Sequence, residues 1–177
     1  YPNLSFALAK LVPGTSGAPS KWVSYIVTSV PSSATASAAP SRPSTDNTGT
    51  LVDNGVAFVS TGANDVFALS LDTGEILWQW SSSVDPGITS VCCGWNNKGV
   101  AIGENEVFIG RLDGQVVALD RANGNVVWSI QAERWQDNFS ITAAPLYVNG
   151  MVIIGFAGGD RGTRSRLKAY DARDGRL

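Results

Sequence analysis

The sequence predicts an all-β fold, a β-propeller of which roughly three four-stranded blades are present. Three observations predict it. A block of about a dozen residues recurs at steps of 50 and 51, the apolar runs between turns are short and rich in β-branched and aromatic residues, and 19 glycines supply the turns. Units of this size cannot bury a core alone, so they stack on one another. The runs alternate with period two, which disfavours a helical solenoid.

The repeated block spans residues 66–78, returns at residues 116–128 and begins a third time at Leu167. Each copy holds an alanine in an apolar strand and a glycine in a polar turn, and the first two copies end in Trp78 and Trp128. We expect these tryptophans to lock neighbouring blades by packing. The third tryptophan would fall at position 179, so the sequence predicts part of a longer propeller. Its unpaired blade edge predicts aggregation of the chain made alone.

Earlier in each period a shorter apolar run follows a pair of turn residues. The runs are 56–59, 107–109 and 151–154, and the turns are Asn54-Gly55, Glu104-Asn105 and Asn149-Gly150. A strand, a turn and a second strand therefore precede each glycine. Four short strands per period make one propeller blade the natural unit.

The first fifty residues differ from the rest, so we expect an N-terminal segment at 1–50 and a partial propeller at 51–177. Residues 31–50 are rich in Ser, Ala, Pro and Thr and predict a linker or long loop. Residues 21–27 alternate well enough to predict a strand, one that would close a ring in a longer protein.

The composition excludes several classes of function. A net charge of -2 gives no electrostatic reason to expect nucleic acid as a partner. No apolar run approaches the ~18 residues of a transmembrane segment. The chain has no histidine and two adjacent cysteines, which cannot build a zinc site of cysteine and histidine.

The two cysteines, Cys92 and Cys93, are neighbours. Joined, they would close a strained ring that presents a rigid sulfur surface, and such strain is usually kept at functional sites. A disulfide would also indicate an oxidising compartment such as a bacterial periplasm. Alternatively, the pair acts as two separate thiols that pack as small hydrophobic groups. The residues alone leave both interpretations open.

The repeat A-x-D-x-x-x-G-x-x-x-W, in which the first copy has Ser70 at the aspartate position, resembles, together with the vicinal cysteines between two copies, the pyrroloquinoline-quinone (PQQ) dependent alcohol dehydrogenases from Val52 to Leu177. That family has an eight-bladed propeller locked by tryptophan docking motifs. The specific motif is V-C-C-G-W-N-N-K-G at residues 91–99. The resemblance implies that Cys92 and Cys93 form a ring disulfide against one face of PQQ. Lys98 stands where the family has an arginine that hydrogen-bonds the quinone oxygens, and lysine keeps the charge without the planar fork. Otherwise Lys98 is a solvated turn residue.

The third repeat carries an insertion between Ile153 and Ala169, and a loop that breaks the period indicates function. By resemblance to the family segment G-x-x-G-A-E, the small residues Ala157, Gly158 and Gly159 contact PQQ. Asp160 occupies the place of the glutamate that ligates calcium or a lanthanide ion. The alternative for Asp160 is an exposed aspartate in surface ion pairs with neighbouring arginines. Thr142, within T-A-A-P, matches a threonine that hydrogen-bonds the cofactor.

The function that the resemblance implies is part of a PQQ- and calcium-dependent dehydrogenase that oxidises alcohols to aldehydes. It implies a periplasmic protein that passes electrons to a cytochrome. The family's aspartate base, asparagine metal ligand and tryptophan over the second PQQ face would lie beyond Leu177. We therefore expect no catalytic residue in this chain and no turnover by it alone. The alternatives are a non-catalytic propeller scaffold for protein–protein interaction in the bacterial envelope, and a quinohaemoprotein with a haem domain after the propeller.

Overall fold

The computed structural model describes residues 6–12, 21–27, 49–89, 91 and 94–177. The chain divides into two compact units, residues 1–39 and 40–177. In the first unit, β1 (Phe6–Val12) pairs antiparallel with β2 (Lys21–Val27). This confirms the strand predicted at residues 21–27. Apart from Gly49 and Thr50, the linker predicted at 31–50 lies outside the described residues.

The described residues of the second unit form three antiparallel sheets, which we call blades 1 to 3, and strands that follow one another in the chain are neighbours in each sheet. Blade 1 consists of β3 (Leu51–Asp53), β4 (Val56–Ser60), β5 (Val66–Ser70) and β6 (Ile76–Trp80). Blade 2 consists of β7 (Ala101–Ile102), β8 (Glu106–Gly110), β9 (Gln115–Asp120) and β10 (Val126–Gln131). Blade 3 consists of β11 (Leu146–Val148), β12 (Met151–Gly155) and β13 (Leu167–Asp171). The predicted all-β propeller architecture is confirmed.

The recurring alanine lies at the same register position in each blade. Ala68 is paired with Phe58 on one side and Trp78 on the other, and Ala118 is paired with Phe108 and Trp128. The two rings therefore meet across the alanine, with centroids 5.9 Å apart in both blades. A larger side chain at the central position would separate them, which explains why the sequence repeats an alanine there.

The hydrophobic core lies in the seams between blades rather than within one sheet. One cluster packs Phe58 and Trp78 of blade 1 against Val107 and Leu119 of blade 2. The next cluster repeats the arrangement between blades 2 and 3, with Phe108 and Trp128 against residues of blade 3 that include Val152, Ile154 and Tyr170. A single repeat thus lacks half of its own core, as the period predicts.

Each tryptophan of the repeat reaches into the turn of the following blade. The Trp78 Nε1–H donates to the carbonyl oxygen of Arg121 at 3.0 Å, and the Trp128 Nε1–H donates to that of Ala172 at 2.8 Å. The indole rings cover Gly124 and Gly175 of the same turns. Trp78 and Trp128 therefore lock neighbouring blades, as predicted.

The face of blade 3 that points away from blade 2 is exposed. Leu167 is 75% accessible, whereas Val66 and Val116, which occupy its position in blades 1 and 2, are fully buried. The described residues contain two three-residue 3-10 helices, Trp135–Asp137 and Gly159–Arg161. Within this part of the chain no helix has the length and apolarity needed to cross a membrane.

Candidate functional site

Backbone hydrogen bonds join the segments that lead into the three blades. The Gly49 N–H donates to the carbonyl oxygen of Lys98 at 3.0 Å, and the Lys98 N–H donates to that of Thr142 at 2.9 Å. We call this arrangement the entry row. It brings together Lys98, which is exposed, and Thr142, which is half-buried. Two of the predicted cofactor-binding residues, 44 positions apart in sequence, are therefore neighbours.

The entry row is tightly packed at its first step. A Cβ atom on Gly49 would lie 2.5 Å from the carbonyl oxygen of Lys98. Gly99 has φ +123°, and a Cβ atom there would lie 2.8 Å from the carbonyl oxygen of Gly49. Neither position has room for a side chain, so a glycine in each of the two segments allows the backbone of Lys98 to approach its neighbour.

In sequence, the two cysteines lie between blades 1 and 2, within residues 81–100, whose described part forms the β6–β7 loop. Cys92 and Cys93 themselves lie outside the described residues, so both the ring disulfide and the separate thiols remain predictions. Their flanks are described. Val91 is buried in a cluster with Ile88 and Leu112, and the Trp95 Nε1–H donates to the carbonyl oxygen of Ile88 at 3.1 Å. The loop is therefore fixed on both sides of the cysteine pair.

The start of this loop is attached to the β4–β5 turn. The Ser82 N–H donates to Asp65 Oδ1 at 2.9 Å, and the Ser82 hydroxyl donates to the carbonyl oxygen of Ala63 at 2.6 Å. Burial raises the pKa of Asp65 above its usual range, and this effect outweighs the hydrogen bonds from Ser82 and Thr61 and the charge of Arg111.

The raised pKa of Asp65 predicts a pH-dependent stability. Because the folded state holds this proton more tightly than the unfolded state, the group's contribution is complete below about pH 3.8 and is lost as pH rises through the folded pKa. The variant D65N keeps an acceptor for Ser82 without the charge. We expect its stability relative to the wild type to increase from pH 4 to pH 7, as measured by urea unfolding. The control D85N, at an exposed residue of the same loop, should show a smaller pH-dependent change.

The insertion of the third repeat lies between β12 and β13 and is closed at its base. The Phe156 N–H donates to the carbonyl oxygen of Arg166 at 3.2 Å, and Ser140 and Ala157 exchange two backbone hydrogen bonds of 2.8 and 3.2 Å. Gly158 has φ +132°, and a Cβ atom there would collide with the carbonyl oxygen of Asn138. Only glycine fits this position.

Asp160 lies on the second 3-10 helix and is exposed. Among ion pairs between described residues, none includes Asp160, so the alternative of pairing with Arg161 or Arg164 finds no support there. The described part of the chain also contains no group of three or more acidic, histidine or cysteine side chains that could hold a metal ion. Asp160 can therefore contribute one oxygen ligand group to a metal site, but these residues do not complete such a site.

A cavity of about 510 Å³ opens beside the insertion, and it brings Thr142 and Ala157 together. Gly158, Gly159 and Asp160 are not among its lining residues, which are Thr142, Ala143, Gly155, Phe156, Ala157, Ser165, Arg166 and Leu167. The structure thus groups Lys98, Thr142 and Ala157 at one end of the blades. It leaves Asp160 on the exposed part of the insertion.

Two polar clusters near these residues were not identified from the sequence. Asn97, fully buried, hydrogen-bonds to both neighbouring blades. Glu133 forms ion pairs with the Lys168 ammonium at 2.8 Å and with the Arg166 guanidinium at 3.2 Å, which ties blade 2 to the end of the insertion. No sequence pattern could pair Glu133 with residues more than thirty positions away. Asn97, by contrast, stands next to Lys98 within the cysteine motif.

Comparisons with known proteins identify the family to which the chain belongs. The model of the family described as outer membrane protein assembly factor BamB matches residues 27–177. A quinoprotein alcohol dehydrogenase of Pseudomonas putida is 39% identical over 127 residues, which cover 72% of this chain and 21% of that protein. A 1-butanol dehydrogenase (cytochrome c) of Thauera butanivorans is 37% identical over 124 residues, covering 68% of this chain and 18% of that protein.

A solved structure of a europium-containing methanol dehydrogenase superposes with a TM-score of 0.69 at 33% identity, covering 72% of this chain and 23% of that one. The chain thus spans about a fifth of the length of these relatives. The region matched by the family model, residues 27–177, includes the blades and the residues grouped above. The chain therefore belongs to this β-propeller family and is, within it, a relative of the PQQ-dependent quinoprotein alcohol dehydrogenases.

Proposed function

We propose that this chain forms three blades of a PQQ-dependent dehydrogenase that oxidises alcohols to aldehydes, and that it supplies one wall of the cofactor site. The observation that carries the proposal is the entry row, which places Lys98 beside Thr142 in a chain 39% identical to a quinoprotein alcohol dehydrogenase. A protein-binding scaffold needs neither this juxtaposition nor the adjacent cysteines. The dehydrogenase is therefore the better-supported function.

The residues present fit the cofactor's edges. PQQ is a planar ortho-quinone with three carboxylates, so its site needs cations and hydrogen-bond donors around a flat apolar contact. Lys98 supplies an ammonium group and Thr142 a hydroxyl, on backbones joined at 2.9 Å. For the flat contact we propose a disulfide between Cys92 and Cys93. The bound quinone would supply a two-electron oxidant.

The insertion fits the cofactor and metal less completely. We propose that Ala157, Gly158 and Gly159 approach a PQQ carboxylate, since glycine and alanine leave the backbone accessible. We propose that Asp160 ligates calcium or a lanthanide ion, since hard cations prefer carboxylate oxygens. These ions take about six to eight oxygen ligands, so most would come from outside the described residues. The europium in the similar methanol dehydrogenase supports a metal here.

Two further parts of the proposal follow from the chemistry. Electrons removed from the alcohol need an acceptor, and we propose a cytochrome, which the name of the Thauera butanivorans relative supports. A stable disulfide requires an oxidising compartment, so we propose a periplasmic location. The catalytic base and the residue covering the second face of PQQ are proposed to lie outside this chain.

A thiol titration and a PQQ titration of the 177-residue chain test the proposal. Under denaturing conditions we expect no free thiol, whereas two free thiols would support the scaffold. When PQQ and calcium are added, we expect weak binding, seen as quenching of tryptophan fluorescence. The K98A variant should bind PQQ more weakly still, whereas K21A should bind it as the wild type does. No alcohol oxidation should occur. Nanomolar binding, about -12 kcal/mol, would contradict the idea that one wall alone is present.

A further inference from the structure

The seam between blades 1 and 2 contains a buried polar contact that the next seam lacks. Asn97 is fully buried, and its Oδ1 accepts from the Ser60 hydroxyl at 2.9 Å and from the Gly99 N–H at 2.9 Å. Its Nδ2 donates to the carbonyl oxygen of Gly110 at 2.8 Å. One side chain thus joins β4 of blade 1, β8 of blade 2 and the segment that carries Lys98.

The equivalent position in the next seam is apolar. Asn97 precedes Lys98 in the entry row, and Ile141 precedes Thr142. The Ile141 side chain packs directly on Gly110, where even a Cβ atom would collide with it, just as Asn97 contacts Ser60 one blade earlier. An aliphatic side chain opposite a glycine therefore closes a seam of this fold. Seam packing alone does not require Asn97.

The additional effect of Asn97 falls on its neighbour. Its hydrogen bond to the Gly99 N–H holds the residue after Lys98, while Gly49 and Thr142 hold the backbone of Lys98 itself. The backbone around this cation is thus fixed by the fully buried Asn97 on one side and by the close approach of Gly49. We infer that Asn97 is a positioning residue for Lys98, which aims the ammonium at an anionic ligand of the PQQ type. This inference rests on the proposed function for the identity of the ligand.

The decisive variant replaces the polar contact between blades 1 and 2 with the apolar contact found between blades 2 and 3. S60G/N97I places the Gly110–Ile141 pair between blades 1 and 2, so the blades still pack. We expect amide hydrogen exchange of Gly49, Lys98 and Gly99 to accelerate by roughly tenfold, because a buried hydrogen-bond network is lost. In the same background K98A should no longer change PQQ affinity, whereas in the wild type it does. S60A, which removes one donor to Asn97, should shift exchange in the same direction by a smaller factor.

A matched control comes from a second buried asparagine. Asn64 has φ +70° and its Oδ1 accepts from the Leu112 N–H at 2.8 Å, which also joins blades 1 and 2 but through residues that are not part of the entry row. N64G should lower stability without changing exchange at Gly49 or Lys98, and K98A should keep its effect on PQQ affinity. This control separates a general weakening of the contact between blades 1 and 2 from a specific effect of Asn97 on the position of Lys98.

The outcomes distinguish the inference from the proposed function. Unchanged exchange at Lys98 and an undiminished effect of K98A in S60G/N97I would overturn the positioning role. A second outcome is faster exchange in S60G/N97I combined with a PQQ affinity that K98A leaves unchanged in the wild-type background. This outcome would support the role of Asn97 in fixing the backbone and would overturn PQQ as the ligand of Lys98. If S60G/N97I does not fold, the S60A variant provides the test. Amide exchange rates at Gly49, Lys98 and Gly99 equal to those of the wild type would then overturn the inference.

Discussion

Replacing Trp128 with alanine is expected to lower the free energy of unfolding by about 3–5 kcal/mol, a large share of the 5–15 kcal/mol typical of a domain. The Trp128 ring packs on Phe108 of its own blade and covers Gly175 of the next. Its Nε1–H satisfies the carbonyl oxygen of Ala172 at 2.8 Å. Truncation removes the contact between two blades together with the hydrogen bond that orients it, so the loss exceeds that of a residue packed within one sheet.

Urea unfolding followed by far-ultraviolet circular dichroism measures this effect. V127A is the matched control, because Val127 is the preceding residue on β10 and is 50% exposed, and we expect a change within about 0.5 kcal/mol. W128F keeps most of the ring but leaves the carbonyl oxygen without its donor, and should cost about 1–3 kcal/mol. A loss below about 1 kcal/mol for W128A would mean that the tryptophan does not hold the blades together.

The parts of the fold that the sequence predicted are those set by short-range sterics. The alanine lies between two rings, and the glycine lies in a turn under an indole. Each position therefore accepts only a small residue, and that residue type reappears in the sequence at a constant spacing. The ring pair around the alanine recurs in blades 1 and 2, and the indole over the glycine recurs in blades 2 and 3, so both constraints are visible as a period. The tryptophan docking could be predicted for the same reason.

The interactions that the sequence did not reveal are made once and over long separations. Asn97 meets Ser60 across 37 residues, and Glu133 meets Arg166 across the insertion. Neither pair recurs in another blade, so no repeat indicated them. The neighbours Lys98 and Thr142 were each identified by a local motif, but their adjacency depends on backbone hydrogen bonds between segments of different blades. The position of the insertion was predicted, whereas its closure on Asn138 depends on tertiary contacts.

Replacing Gly124 with alanine is expected to cost about 2–5 kcal/mol, for two separable reasons. Gly124 has φ +75°, a conformation that costs an L-residue about 1–2 kcal/mol. A Cβ atom there would also lie 2.5 Å from Cε3 of the Trp78 ring, and overpacking of this kind costs about 1–3 kcal/mol. The turn requires the first property, and the docked tryptophan requires the second.

G150A separates the two contributions, because Gly150 has φ +76° but its Cβ atom would meet no described atom within 4 Å. Urea unfolding should show G150A losing only the backbone contribution, so that G124A costs about 1–3 kcal/mol more. In a W78A background this excess should disappear, since the ring that the methyl group meets is absent. Equal costs for G124A and G150A would contradict the steric argument. The glycine would then recur because of the turn alone, and the indole would impose no requirement on the residue beneath it.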